Sequence, residues 1–107
     1  MKNPKIKTIV SELRKSFEAL YGDRLINMIL FGSHARGDAE PGSDIDVLVV
    51  LDGQVNPGKE IERTSKIRAS LCLHYDVVVS CIYISSKRYT TEQSPLLLNV
   101  RREGILA

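Results

Sequence analysis

The chain has 107 residues, and 15 Lys and Arg against 13 Asp and Glu leave a formal net charge of +2. That is the length of one domain, residues 1–107, long enough for a core without disulfide or metal staples. Its 43% apolar and 26% charged residues exclude disorder of the whole chain, and the small basic excess argues against a dedicated non-specific DNA binder.

From Pro4 to Leu20 the apolar residues Ile6, Ile9, Val10, Leu13, Phe17 and Leu20 recur at spacings of three and four, which predicts an amphipathic helix. Gly22 ends it, and Leu25 to Phe31 reads as a buried strand. Residues 32–43 are dense in loop formers. Ile45 to Leu51 is the strongest strand, β-branched and apolar after Asp46. Asn56-Pro57 predicts a cap and first position for a helix to about Leu73, with a weak stripe of Ile61, Ile67 and Leu71. Tyr75 to Ile84 reads as a third strand. Ser94-Pro95 opens a last helix through Val100 and Arg101, which Gly104 ends, leaving Ile105-Leu106-Ala107 as a tail. The expected fold is a small α/β sandwich, a short mixed sheet of three to four strands flanked by helices.

Cys72 and Cys81 make neither a disulfide scaffold nor a zinc pattern, and read as small buried hydrophobes in a reducing cytosol. No apolar run follows Met1-Lys2-Asn3-Pro4, and Val47 to Leu51 is far short of a membrane span. The expectation is a soluble cytoplasmic protein with no signal peptide and no membrane contact. Lys59, Arg63, Lys66 and Arg68, interspersed with Glu60 and Glu62, read as a solvated helix face.

Chemistry concentrates around two short segments. Asp44 and Asp46 are two apart at the mouth of a strand, so they project to one face with β-carbons about 6–7 Å apart. Two carboxylates brought to about 4 Å repel by roughly 4 kcal/mol at an effective dielectric near 20. A shared cation, or a proton on one of them, relieves that, and hard oxygen ligands favour Mg²⁺. Upstream, the first strand empties into Gly32-Ser33-His34-Ala35-Arg36-Gly37. A glycine there permits close approach of a ligand to the backbone, and Ser33 can cap a short helix or donate to a phosphate. Asp76 opens the third strand as Asp46 opens the second. If those strands are neighbours, it can join the pair at one end of the sheet.

Gly32-Ser33, ten intervening residues and Asp44-x-Asp46, with Ala35-Arg36-Gly37 and Ser43 between, resemble the nucleotidyltransferase superfamily of DNA polymerase beta. The short length and the closing Asn99 to Gly104 segment resemble its minimal members. The resemblance implies that Gly32 and Ser33 bind the nucleotide triphosphate. It also implies that Asp44 and Asp46 bind two Mg²⁺ ions, with Asp76 as the third acidic ligand and possible proton acceptor. Arg36 either touches phosphate or anchors the loop, and His34 could contact nucleotide. The implied reaction is transfer of AMP from ATP to a hydroxyl.

With only about two dozen residues after the third strand, the expectation is that this chain has no acceptor-binding domain of its own. Minimal members of the superfamily pair with small helical HEPN-type RNase toxins, whose tyrosine they adenylylate as antitoxins. The expected partner is therefore such a toxin, in a hetero-oligomer, with no direct nucleic-acid contact. Two alternatives stand beside it. One is a non-catalytic module that neutralises its partner by covering it, with Ile105-Leu106 and the 57–73 helix as interface. The other is nucleotidyl transfer to a small molecule.

Overall fold

The computed structural model describes residues 4–107, so Met1, Lys2 and Asn3, on which the expectation of no leader rests, lie outside the described residues. Helix α1 (Pro4–Tyr21) follows the predicted stripe, burying Ile6, Ile9, Val10, Leu13 and Phe17, with Tyr21 added at its end. One 3-10 turn (Gly22–Arg24) leads into β1 (Leu25–Phe31) and then the one-turn helix α2 (Ser33–Arg36). Next come β2 (Ile45–Leu51), α3 (Pro57–Arg63), α4 (Ser65–Tyr75) and β3 (Val79–Ser85). The order closes with α5 (Ser86–Thr91), α6 (Pro95–Glu103) and the two-residue β4 (Ile105–Leu106).

The strands form a four-stranded mixed sheet in the order β3-β2-β1-β4, the α/β arrangement expected. β2 runs antiparallel to β1, with Asp46 opposite Phe31, and parallel to β3, with Asp46 opposite Ser80. Side chains alternate between faces. Val47, Val49 and Leu51 join Met28, Leu30, Val79 and Tyr83 in one core with α1 and α4. Leu48, Val50, Ile29 and Ile84 form a second core with Leu97 and Val100 of α6. Each large side chain fully buried contributes about 1.5–3 kcal/mol. Both faces of β2 are covered, which is why its run from Val47 to Leu51 shows no polar alternation. Asp44 and Asp46 share the parity of Leu48, so they lie on the α6 face.

Two caps stand as the sequence predicts. Asn56 accepts from the Lys59 amide at 3.3 Å ahead of Pro57, and Ser94 from the Leu97 amide at 3.4 Å ahead of Pro95. The helix expected to run from 57 to about 73 is instead broken at Thr64 (φ −99°, ψ 1°). The buried Thr64 hydroxyl donates to the Glu60 carbonyl at 2.8 Å and bonds the Tyr83 hydroxyl, and such back-bonding bends helices. Glu60 is not on a solvated face but buried, at 3% exposure.

The third strand begins four residues later than predicted. α4 runs on through Tyr75, whose hydroxyl donates to Glu12 at 2.8 Å, and Asp76 then closes the helix in the left-handed conformation (φ 53°, ψ 54°). α5 was not expected; the Ser85 hydroxyl caps it by accepting from the Arg88 amide at 3.2 Å. Nor is Ile105-Leu106 a loose tail. At Gly104 a β-carbon would collide with the Val100 carbonyl oxygen and lie 2.6 Å from Ile29 Cγ2. That close approach sets β4 against Ile29 and Leu30, and Arg14 donates to the Ala107 carbonyl beyond it. Leu106 itself stays 69% exposed. No helix among the described residues is long and apolar enough to cross a membrane.

Candidate active site

The end of β1 and the start of β2 meet because the two strands are antiparallel neighbours, which sets residue 32 beside residue 46. Gly32 has φ +77° and ψ −158°, a region essentially confined to glycine. A β-carbon on it would lie 2.5 Å from Asp46 Oδ2. The turn and the carboxylate are therefore in direct apposition, and only glycine permits it. Beyond Gly32 the chain makes one helical turn, closed by the Gly37 amide donating to the Ser33 carbonyl at 2.9 Å. His34 Nε2 lies 3.0 Å from the Ser43 carbonyl oxygen and ties this turn to the segment just before Asp44. The Ser33 hydroxyl has no partner among the described residues.

Asp44 is exposed just ahead of β2, and Asp46 is partly buried in its second position. Ser80, across the parallel ladder, donates toward Asp44 Oδ2 at 3.5 Å. Burial, and next the charge of Asp44, raise the Asp46 pKa above the ordinary carboxylate range, while His34 and Arg36 pull it down. This donor set is one of hard oxygens, and it fits a divalent cation bound through two carboxylates and completed by water and phosphate oxygens.

One sequence expectation changes here. Asp76 does not join the pair: the late start of β3 leaves it capping α4. It lines a cavity of about 780 Å³ with His34, Ser43 and Val77. No group of three His, Cys, Asp or Glu side chains among the described residues is arranged to hold a metal ion. The β3 residue beside Asp46 is Ser80 instead. It was missed because the register of a parallel pair is not written in either strand, although a lone polar residue between Val79 and Cys81 was visible. Arg36 anchors the loop: its guanidinium pairs with Asp38 at 3.1 Å and with Glu103 of α6 at 3.1 Å. Glu103 as that anchor was also not foreseen, since the contact spans 67 residues. Gly32, Ser33, Asp44 and Asp46 lie together, as expected.

Comparison with known proteins agrees with this geometry. A family model described as the nucleotidyltransferase domain matches residues 10–98. A Thermococcus cleftensis protein named protein adenylyltransferase MntA is 34% identical over 74 residues, which is 69% of this chain and 73% of that protein. A crystal structure of a toxin-antitoxin with AMP-PNP is similar in fold, with a TM-score of 0.62 and 22% identity over 94% of this chain and 70% of that one. So is the MNT antitoxin–HEPN toxin complex of Shewanella oneidensis, in which the toxin is tri-AMPylated. There the TM-score is 0.53 and the identity 18%, over 99% of this chain and 71% of that one.

Proposed function

The chain belongs to the nucleotidyltransferase-domain family, and from that premise we propose that it transfers AMP from ATP to a hydroxyl of a partner protein, a tyrosine of a HEPN-type RNase toxin, and so acts as its antitoxin in the cytoplasm. The observation that carries this reading is Gly32 pressed against Asp46, which sets a phosphate-approach turn beside a carboxylate pair. The name of the Thermococcus relative supports AMP transfer to protein, and AMP-PNP in one structure of like fold supports ATP as donor. The tri-AMPylated toxin of the other supports a HEPN partner.

In the proposed reaction the acceptor oxygen attacks the α-phosphorus of ATP and the bond to the bridging oxygen of pyrophosphate breaks. AMP remains on the acceptor, pyrophosphate leaves, and the hydroxyl proton passes to water. Asp44 and Asp46 would hold Mg²⁺, which supplies charge neutralisation on the phosphate oxygens when bound. Gly32 leaves room for the phosphates at the backbone, and the Ser33 hydroxyl donates to them. Arg36 acts through position: its pairs with Asp38 and Glu103 hold the turn on α6. Catalysis is then chiefly alignment and electrostatics, which a turn braced at both ends suits.

The test is incubation with ATP labelled at the α-phosphate, Mg²⁺ and the protein encoded beside this one, followed by a denaturing gel. Label is expected on the neighbour with wild type and not with Asp44→Ala/Asp46→Ala. A firm complex that carries no label would refute transfer and leave neutralisation by covering.

A further inference from the structure

A second cleft lies where β2 and β3 end, between the 52–56 loop, α3 and the start of α5. The seven residues of β2 separate it from Asp44 and Asp46, about 20 Å at a rise of about 3.3 Å per residue. It encloses about 1150 Å³. Arg24, Lys59, Arg63, Lys87 and Arg88 line it against the carboxylates of Asp52 and Glu60, a formal excess of +3, with Arg88 also paired at 2.6 Å to Glu92 outside the lining. The whole chain carries +2, so everything outside the cleft sums to −1. The positive character of this protein is therefore concentrated here, and the proposed transfer reaction uses none of it.

The floor of the cleft is built rather than incidental. The buried Glu60 carboxylate accepts from the Tyr21 hydroxyl at 2.9 Å and pairs with Arg63 at 3.2 Å, with Arg24 3.9 Å from its other oxygen. Arg24 is braced further by donating to the carbonyls of Asp52 at 3.1 Å and Gln54 at 2.9 Å. One buried carboxylate thus orients two guanidiniums whose side chains remain 35% and 44% exposed. Donors held this way leave little ordering cost for a ligand to meet. On the walls, Lys59 of α3 and Lys87 of α5 are exposed and make no ion pair among the described residues. The aromatic ring at the cleft, Tyr83, is 4% exposed and offers no face on which a base could stack.

The geometry points to a second anion site, which takes the phosphates of a polyphosphate chain or of an RNA backbone by charge rather than by reading a base. Calorimetric titration with sodium tripolyphosphate and with a short single-stranded RNA tests it. EDTA is present so that no metal holds phosphate at Asp44 and Asp46, and the result is independent of AMP transfer. Binding is expected at about 50 mM salt and is weakened several-fold at about 200 mM. Lys59→Glu/Lys87→Glu should weaken it by about tenfold. Lys7→Glu/Lys15→Glu, the same charge change on exposed positions of α1, should leave it within about twofold, as should Asp44→Ala/Asp46→Ala. Melting curves verify that each variant is folded. Binding of tripolyphosphate alone assigns a small polyphosphate, whereas affinity that rises with RNA length assigns the backbone. If neither probe binds, or if the α1 and cleft reversals weaken binding equally, the site does not exist.

Discussion

Replacing Gly32 by alanine separates the backbone of the site from its chemistry. The fold cost comes from the backbone: φ +77° with ψ −158° is a conformation that costs a residue with a β-carbon about 1–3 kcal/mol. For a chain of this size that lowers the melting temperature by roughly 5–15 °C. The second effect falls on Asp46. The new β-carbon would lie 2.5 Å from Oδ2, and ordinary contact begins near 3.4 Å, so the carboxylate must retreat by about 0.9 Å. It is the free end of a side chain, so the retreat itself adds little to the fold cost. A misplacement of about 1 Å at a reacting centre is worth about 100-fold in rate, or about 2.7 kcal/mol of barrier. The assay is the initial rate of label transfer from α-labelled ATP to the partner, measured below the melting transition of the variant. A Gly32→Ala protein that melts lower yet labels its partner within about threefold of wild type would show that the Asp46 position does not govern the reaction.

Asp76→Gly should leave transfer within about twofold and stabilise the protein by about 0.5–1 kcal/mol, because glycine relieves the positive φ of the α4 cap. Loss of label in that variant would return Asp76 to the catalytic set. Burial pushes the Cys81 thiol up to about 11 from 9.0. Below pH 9 the thiol is protonated folded and unfolded, and stability is intact. Between pH 9 and pH 11 only the unfolded chain loses this proton, so stability falls, by about 2–3 kcal/mol at the top of that window. The melting temperature of wild type should accordingly drop more steeply across it than that of Cys81→Ala, and parallel curves would contradict the burial of the thiol. Gly104→Ala should cost about 1–3 kcal/mol in denaturant unfolding, since its β-carbon meets Ile29 Cγ2 at 2.6 Å, and an unchanged midpoint would mean that β4 does not need this close approach.

Local chemistry was legible in the sequence wherever neighbouring residues decide it. The apolar stripe of α1, the bounds of β1 and β2, the caps at Asn56 and Ser94 and the end of α6 at Gly104 all rest on interactions within a few residues. The pairing of Gly32 with Asp44 and Asp46 was legible for a related reason: one pattern of residue types at fixed spacing spans two adjacent strands. What was not legible depended on partners far away along the chain. Thr64 breaks a helix whose local pattern continues, because its hydroxyl is fixed by Tyr83. Glu60 has the look of a surface residue and is buried because Tyr21, Arg24 and Arg63 satisfy its carboxylate there. Asp76 precedes a run of three valines and reads as a strand residue, but the chain spends it on closing α4. Ser80 therefore takes the place beside Asp46. By itself the sequence determined the element types, the α/β class and the carboxylate pair with its glycine turn, because periodicity, capping and motif spacing are short-range properties. Only the tertiary structure decided which residue stands beside that pair, what holds Arg36, and where the basic residues gather, because strand register and the burial of charge are set by contacts that sequence separation does not record.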